Sequence, residues 1–191
     1  ATGDDVDQDC DGLAVCFVDA DADSYGSSAT SNVAATAGFA VASCDASSSG
    51  RANDSDDCND SAIGTNPGVI ELAGDDVDQD CNGLAACYID DDADGFGSLS
   101  MVNLPATGGL AVGTCNAPGA ARANNGSDCD DSEPSSYPSA PESCDTVDSD
   151  CDGSLVDEFT DTDGNLDPDC TDPDDDGDGY SDGFDCGPTD A

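Results

Sequence analysis

The stretch Asp4–Gly26, DDVDQDCDGLAVCFVDADADSYG, recurs at Asp75–Gly97 as DDVDQDCNGLAACYIDDDADGFG, at an offset of 71 residues and without a gap. Self-similarity at a fixed period is the signature of a repeat architecture. Within each copy, alternating acids flank a short apolar run, GLAVCFVD or GLAACYID, which reads as a strand because Val, Phe, Tyr and Ile suit a pleated, half-buried surface. The same offset carries Cys10, Cys16, Cys44 and Cys58 onto Cys81, Cys87, Cys115 and Cys129, and Arg51 onto Arg122. A divergent third unit opens near Asp145 with DTVDSDCDG. The expected organisation is therefore repeat 1 at 1–74, repeat 2 at 75–144, and an Asp-rich half-module, repeat 3, at 145–191. Further strands are expected at Val33–Ala35 with Phe39–Ser43 and at Met101–Leu104 with Leu110–Thr114, separated by Gly, Ser, Asp and Asn turns.

Composition explains why such a chain needs help to fold. It has 191 residues, 45 acids, two arginines, no lysine and no histidine, for a formal net charge of −43. Leu, Ile, Val and Phe total 27, a level at which a highly charged chain is disordered unless something replaces the missing core. Two carboxylates 4 Å apart repel by about 4 kcal/mol at an effective dielectric of 20. The 12 cysteines offer a covalent substitute, and with no histidine to share zinc sites they point to disulfides and an oxidising, extracellular compartment. An opening Ala in place of Met fits a processed start. No apolar run approaches the roughly 20 residues of a membrane span. Nucleic acid is excluded as a partner because its phosphates would be repelled.

The acids are 41 Asp and four Glu, and the short Asp stem holds a carboxylate close to the backbone, where a tight loop can share a cation. DDDGDGYSDGFD places Asp174, Asp176, Asp178, Asp182 and Asp185 at positions 1, 3, 5, 9 and 12 of an EF-hand-type loop, with Gly179 at the turn and Tyr180 offering its carbonyl. Upstream, Asp161, Asp163, Asn165, Asp167, Asp169 and Asp172 repeat the alternation. The long repeats carry weaker versions: Asp19, Asp21, Asp23 and Tyr25, then Asp90, Asp92, Asp94 and Phe96, each without an acid at position 12. The missing ligands are expected from Asp57, Asp60 and Glu71, and from Asp128, Asp131 and Glu142. A third cluster type is Asp5, Asp7 and Asp9, matched by Asp76, Asp78 and Asp80 and by Asp148, Asp150 and Asp152. Hard oxygen donors in such loops favour several calcium ions over magnesium, which keeps its waters.

The segment Asp161–Cys186 resembles the calcium repeats of thrombospondin type 3, which implies calcium wrapped by irregular backbone without EF-hand helices. The run Y-x-D-x-D-x-D-G-x-G at Tyr88–Gly97, then Cys115, then the Asp- and Cys-rich run Asp128–Gly153, resembles the metal-binding repeat of MopE-type bacterial surface proteins. That resemblance covers most of the chain and implies secretion, a cell-surface or shed location, and metal binding. The family's named member is associated with copper, but this sequence lacks His and Trp and has a single Met101, so copper is not carried over.

Spacing suggests local disulfides. Cys144 precedes Cys151 by seven residues; in the first two repeats that cysteine is missing, and another appears six residues after Cys10 and Cys81. The expected pairs are Cys10–Cys16, Cys81–Cys87 and Cys144–Cys151, which leaves Cys44–Cys58, Cys115–Cys129 and Cys170–Cys186. The two arginines, one repeated position, are expected in a structural salt bridge. With no His, Lys, nucleophile elbow or phosphate loop, catalysis is not expected. The last residues match the opening of a segment whose continuation the first residues match, so head-to-tail self-association into a filament or surface layer is expected. The alternatives are a calcium-dependent adhesion module facing a glycan or cell-surface partner, or a fragment of a longer array.

Overall fold

The computed structural model describes residues 1–46, 49–155, 158–184 and 187. As expected, the chain is a small, mostly irregular β protein, and the described residues form short antiparallel strands and no helix. Repeat 1 contributes β1 (Leu13–Val18), β2 (Thr30–Thr36), β3 (Phe39–Ala40) and β4 (Arg51–Ala52), in the sheet order β3-β2-β1-β4. Repeat 2 contributes β5 (Leu84–Tyr88), β6 (Met101–Thr107) and β7 (Leu110–Ala111), in the order β5-β6-β7. In repeat 1, Ala14 of β1 faces Val33 of β2 and Cys16 faces Ser31. The chain reverses between β2 and β3 at Ala37 and Gly38, both with positive φ (56° and 85°), the tight hairpin turn whose twist matches the strands.

Contacts divide the chain into two compact units: Ala1–Cys87 with Val102–Cys115, and Tyr88–Met101 with Asn116–Ala191. The interior of the first is made of small residues. Ala14, Cys16, Val33, Cys44 and Ala52 are buried in repeat 1, and Ala85, Ala86, Cys87 and Cys115 in repeat 2. The largest fully buried side chains include Cys16, Cys44, Cys87, Cys115 and a charged one, Asp78, while Phe39, Ile63, Ile70, Leu99 and Phe184 lie exposed. Sulfur bridges thus occupy the place an aliphatic core holds elsewhere.

The bridges differ from the local pairs expected. The pairs are Cys16–Cys44, Cys58–Cys81, Cys87–Cys115, Cys129–Cys151 and Cys144–Cys170. Cys10 is free and exposed, and the expected Cys170–Cys186 pair does not form because Cys170 bonds Cys144; Cys186 itself lies outside the described residues. The reason is strand alternation. Cys16 points into the sheet interior, where the loop after β3 brings Cys44, whereas Cys10 sits in a left-handed turn (φ 59°) on the outside. Cys81 and Cys151 adopt the same conformation (φ 56° and 60°), and each receives a cysteine from the end of the preceding repeat, 23 and 22 residues upstream. Two bridges therefore staple sheets and two staple successive repeats. The expected arginine salt bridge also fails for Arg51, which makes no ion pair among the described residues and buries an Nε without a partner.

Cys16–Cys44 closes a loop of 28 residues, worth about 3.5 kcal/mol by chain entropy. The double substitution Cys16→Ala with Cys44→Ala is expected to lower stability by at least that amount in denaturant titration, because it also empties the centre of the β1–β2 interior.

Candidate metal centres

Every aspartate loop is built by the same local bookkeeping. The first Asp accepts the backbone amide five residues on, and the later ones accept the amide two residues on, as Asx turns do. In repeat 1, Asp19 accepts from Ala22 (2.6 Å) and Ser24 (3.2 Å), Asp21 from Asp23 (3.3 Å) and Asp23 from Tyr25 (2.9 Å). Repeat 2 copies this at Asp90, Asp92 and Asp94, the last accepting from Phe96. Asp161 takes the amides of Gly164 and Leu166, Asp163 that of Asn165, and Asn165 that of Asp167. Asp174 takes Gly179, Asp176 takes Asp178, and Asp178 takes Tyr180. The first Asp at 19, 90 and 161 thus has both oxygens tied to backbone, while Asp21, Asp57, Asp92, Asp94 and Asp128 each keep an oxygen without a hydrogen-bond partner.

The cluster expected at Asp5, Asp7 and Asp9 is shifted by two residues. Asp7 accepts from Asp11 and Gly12, Asp9 from Asp11, and Asp11 from Leu13, and the carboxylates of Asp7, Asp9 and Asp11 lie within 4.8 Å of one another. Asp78 and Asp80 follow suit with Asn82 and Gly83, as do Asp148, Asp150 and Asp152 with Gly153 and Ser154. Asp11 and Asn82 were missed by the sequence reading; the D-x-D-x-D-G frame they share with Asp174–Gly179 is the signal that finds them. Asp5 and Asp76 instead fasten the sheet bridges, Asp5 accepting from Ser43 Oγ (2.7 Å) and the Cys44 amide (2.6 Å), and Asp76 from Thr114 Oγ1 and the Cys115 amide.

Tertiary structure completes the loops of the long repeats. In the C-terminal loops the amide at position 2 donates to the acid at position 9: Thr162 to Asp169 and Asp175 to Asp182, each seven residues away. In repeats 1 and 2 the equivalent amides, Ala20 and Asp91, donate to Asp60 (2.6 Å) and Asp131 (2.8 Å), each from 40 residues away. Asp57 enters beside them, its amide bonded to the Gly26 carbonyl, and Asp128 does the same at Gly97. Glycine is required there: a Cβ on Gly26 would lie 2.6 Å from the Asp54 carbonyl, and one on Gly97 2.5 Å from that of Ile89. Asn66 adds an amide to Asp23 at 2.7 Å, and Asn165 bonds Asp172 at 2.8 Å. Asp185 lies outside the described residues.

Glu71 does not close the Asp60 segment. It accepts the amides of Gln79 (2.9 Å), Asp80 (3.4 Å) and Ala86 (3.2 Å) in the next repeat, and Glu142 accepts that of Asp150 (2.7 Å). The glutamates fasten successive repeats beside the disulfides.

Charge is what these clusters leave unresolved. Asp21 Oδ2 and Asp57 Oδ2 in one, and Asp92 Oδ2, Asp94 Oδ2 and Asp128 Oδ2 in the other, are buried with no hydrogen-bond partner. Asp174 Oδ1 and Asp175 Oδ1 are likewise buried in the C-terminal loop. An unsatisfied buried polar group costs about 1–3 kcal/mol, and more when charged. Burial pushes the Asp57 carboxyl up to about 6, helped by Asp23, Asp21 and Asp60. Asp21, Asp92 and Asp128 are raised by burial and by neighbouring carboxylates. The partnerless oxygens, together with their neighbouring carboxylates, fit a hard cation, which Asp19, Asp21, Asp23, Asp57 and Asp60 would hold in one cluster and Asp90, Asp92, Asp94, Asp128 and Asp131 in the other.

Residues 1–14, 57–85 and 128–158 match the family described as "Putative metal-binding motif" (Cu-binding MopE). These three segments are similar to the MopE-type metal-binding motif. The second and third matched segments each run from the inter-repeat cysteine, through the Glu that caps the next repeat, to that repeat's aspartate loop, so the MopE-type motif is the junction between repeats. No curated protein and no solved structure matches the chain.

Asp57 binds a proton when folded that it loses near pH 4 when unfolded, so without metal folding strengthens as pH falls from about 6 toward 4. In chelator the melting temperature is expected to be higher at pH 5 than at pH 7; with a saturating divalent cation the order should reverse, because protons compete for the same oxygens. Asp57→Asn should raise the melting temperature in chelator and lower it with the cation. A change of the same sign in both conditions would remove Asp57 from the centre.

Proposed function

We propose that this protein is a non-catalytic, extracellular structural protein whose repeats are held folded by calcium and which associates head to tail into a filament or surface layer. The observation that carries the reading is the pair of matching clusters in which buried carboxylate oxygens converge without a partner. Calcium accepts six to eight oxygens in irregular loops, whereas magnesium demands a tight octahedron and retains water. Copper sites draw on imidazole, thiolate or thioether donors. This chain has no histidine, its single Met101 is 60% exposed, and among its described cysteines only Cys10 is outside a disulfide. Five disulfides support an oxidising, extracellular setting. Among the described residues no helix is long and apolar enough to cross a membrane.

The structural role follows from the energetics. Without cations the loops collect like charges at distances where each pair repels by about 4 kcal/mol, and the small interior of Ala and Cys cannot offset many such pairs. Saturating calcium contributes about 3–4 kcal/mol per site at a hundred- to thousand-fold excess over its dissociation constant. A second reading, a calcium-dependent adhesion module for a glycan or cell-surface partner, draws on the exposed Ile63, Ile70, Leu99 and Phe184.

With disulfides intact, chelation is expected to abolish the cooperative melting transition seen by circular dichroism, and calcium to restore it where equimolar magnesium does not. A transition that is unmoved by chelation would refute the role assigned to calcium. Calcium-dependent light scattering by the wild-type chain tests the association.

A further inference from the structure

Repeats 1 and 2 carry the same aspartate loop but seat it against different neighbours. In both, the third aspartate accepts the amide two residues on: Asp23 from Tyr25 at 2.9 Å and Asp94 from Phe96 at 2.8 Å. The second oxygen is where they part. Asp23 Oδ2 accepts Nδ2 of Asn66 at 2.7 Å, whereas Asp94 Oδ2 is buried without a hydrogen-bond partner. The 71-residue offset puts Tyr137 where repeat 1 has Asn66. The Tyr137 ring stacks on Phe96, with centroids 5.4 Å apart and planes 9° from parallel, and donates nothing to Asp94. Asn66 is 6% exposed and its orientation is fixed from three sides: Nδ2 also donates to the Ile63 carbonyl (3.2 Å), and Oδ1 accepts the Gly68 amide (2.8 Å). A reversed side chain would set its oxygen against a carbonyl and a carboxylate, so Asn66 is the donor and Asp23 the acceptor.

We infer that Asn66 sets the ion specificity of the repeat 1 centre. By tying up the second oxygen of Asp23 it leaves that centre one carboxylate oxygen short of the repeat 2 centre, and so the less selective of the two for calcium over magnesium. The inference rests on the calcium reading proposed above and ranks its two matching centres. Among the described residues, the partnerless buried oxygens are Asp21 Oδ2 and Asp57 Oδ2 in repeat 1, against Asp92 Oδ2, Asp94 Oδ2 and Asp128 Oδ2 in repeat 2. The difference is the one oxygen that Asn66 holds. Asp57, 7% exposed, feels the charges of Asp23, Asp21 and Asp60, so the deficit falls on an interior cluster. Ligand number and flexibility are what separate the two ions. Calcium takes six to eight oxygens and accepts a carboxylate through both of its oxygens, whereas magnesium takes six in a tight octahedron and keeps several as waters. Asp94 can turn its free oxygen toward a large cation. Asp23 can do so only by giving up the Asn66 amide, which would then be left unpaired in a buried place. Repeat 1 therefore loses more of calcium's advantage than of magnesium's. Asn66 acts through Asp23 and is a positioning residue.

The test saturates the isotope-labelled full chain with calcium, disulfides intact, and titrates in magnesium while NMR follows the amides of Tyr25 and Phe96. The Tyr25 amide is expected to switch to its magnesium position at a magnesium-to-calcium ratio about tenfold below that needed at Phe96, the scale on which residues behind a ligand act. Asn66→Ala should bring the Tyr25 midpoint up to that of Phe96 and leave Phe96 in place. A mere loss of stability would weaken both ions alike and leave the ratio unmoved. Tyr137→Asn, which installs the donor in repeat 2, should lower the Phe96 midpoint, and Tyr137→Ala, which removes the stack without adding a donor, should not. The two Tyr137 variants decide the outcome if Asn66→Ala does not fold. Coincident midpoints in the wild-type chain, displacement at neither amide, a Tyr25 midpoint unmoved by Asn66→Ala, or equal shifts in Tyr137→Asn and Tyr137→Ala would overturn the inference and leave the calcium reading standing. Amides of Tyr25 and Phe96 that ignore calcium added back to the chelated chain would overturn both.

Discussion

Repulsion between carboxylates is the constraint on which the rest of this molecule turns. Forty-one aspartates share a chain with two arginines and no lysine, so neutralisation by side-chain cations is closed to it. What the fold supplies itself is backbone amides. Asp7, Asp19, Asp78 and Asp90 are buried, and each holds two N–H groups of its own loop. Those bonds shape the loop and orient its free oxygens, but two partial charges do not cancel a full one. The remainder gathers at Asp57 and Asp128, where burial and neighbouring acids raise the affinity for a proton. A group that prefers a proton at such a place prefers a cation for the same reason.

The second constraint is the lack of apolar mass, and the disulfides answer it. Cys16–Cys44 and Cys87–Cys115 take the centre of the two sheets, and Asp5 and Asp76 hold the amides of Cys44 and Cys115 so that each bridge is approached from a fixed backbone. The bridges between repeats work differently. Cys58–Cys81 and Cys129–Cys151 sit beside Glu71 and Glu142, so each junction combines a covalent bond with a carboxylate capping the amides of the following loop. Rigidity of this kind keeps loops in register when their charges would drive them apart, and it makes the junction a unit that can be reused.

The short and long repeats reach the same end by different routes. In the C-terminal loops the acid that receives the position-2 amide lies seven residues away, so the loop is complete in itself. In repeats 1 and 2 a sheet is inserted, and the same task passes to Asp60 and Asp131, returned to the loop from 40 residues away. A cation bound at such a loop would tie the two ends of the sheet insertion together, as a disulfide would.

The repeat, the strand-sized apolar runs and the alternation of Asp in its loops were legible in the sequence because each depends on neighbours a few residues apart. The two-residue misplacement of the Asp5 and Asp76 clusters was also within reach of the sequence, since the D-x-D-x-D-G frame starts at Asp7 and Asp78. Tertiary structure decided three other things. It chose the cysteine partners, because strand alternation buries Cys16 while a left-handed turn exposes Cys10. It sent Glu71 to the next repeat rather than back to Asp60, where it accepts the Gln79, Asp80 and Ala86 amides. It also brought Asp57 and Asp60 to the Asp19 loop, a meeting set by the path of the chain through β1, β2, β3 and β4 rather than by any local spacing. Local hydrogen bonding writes its period into the sequence; contacts closed across a sheet do not.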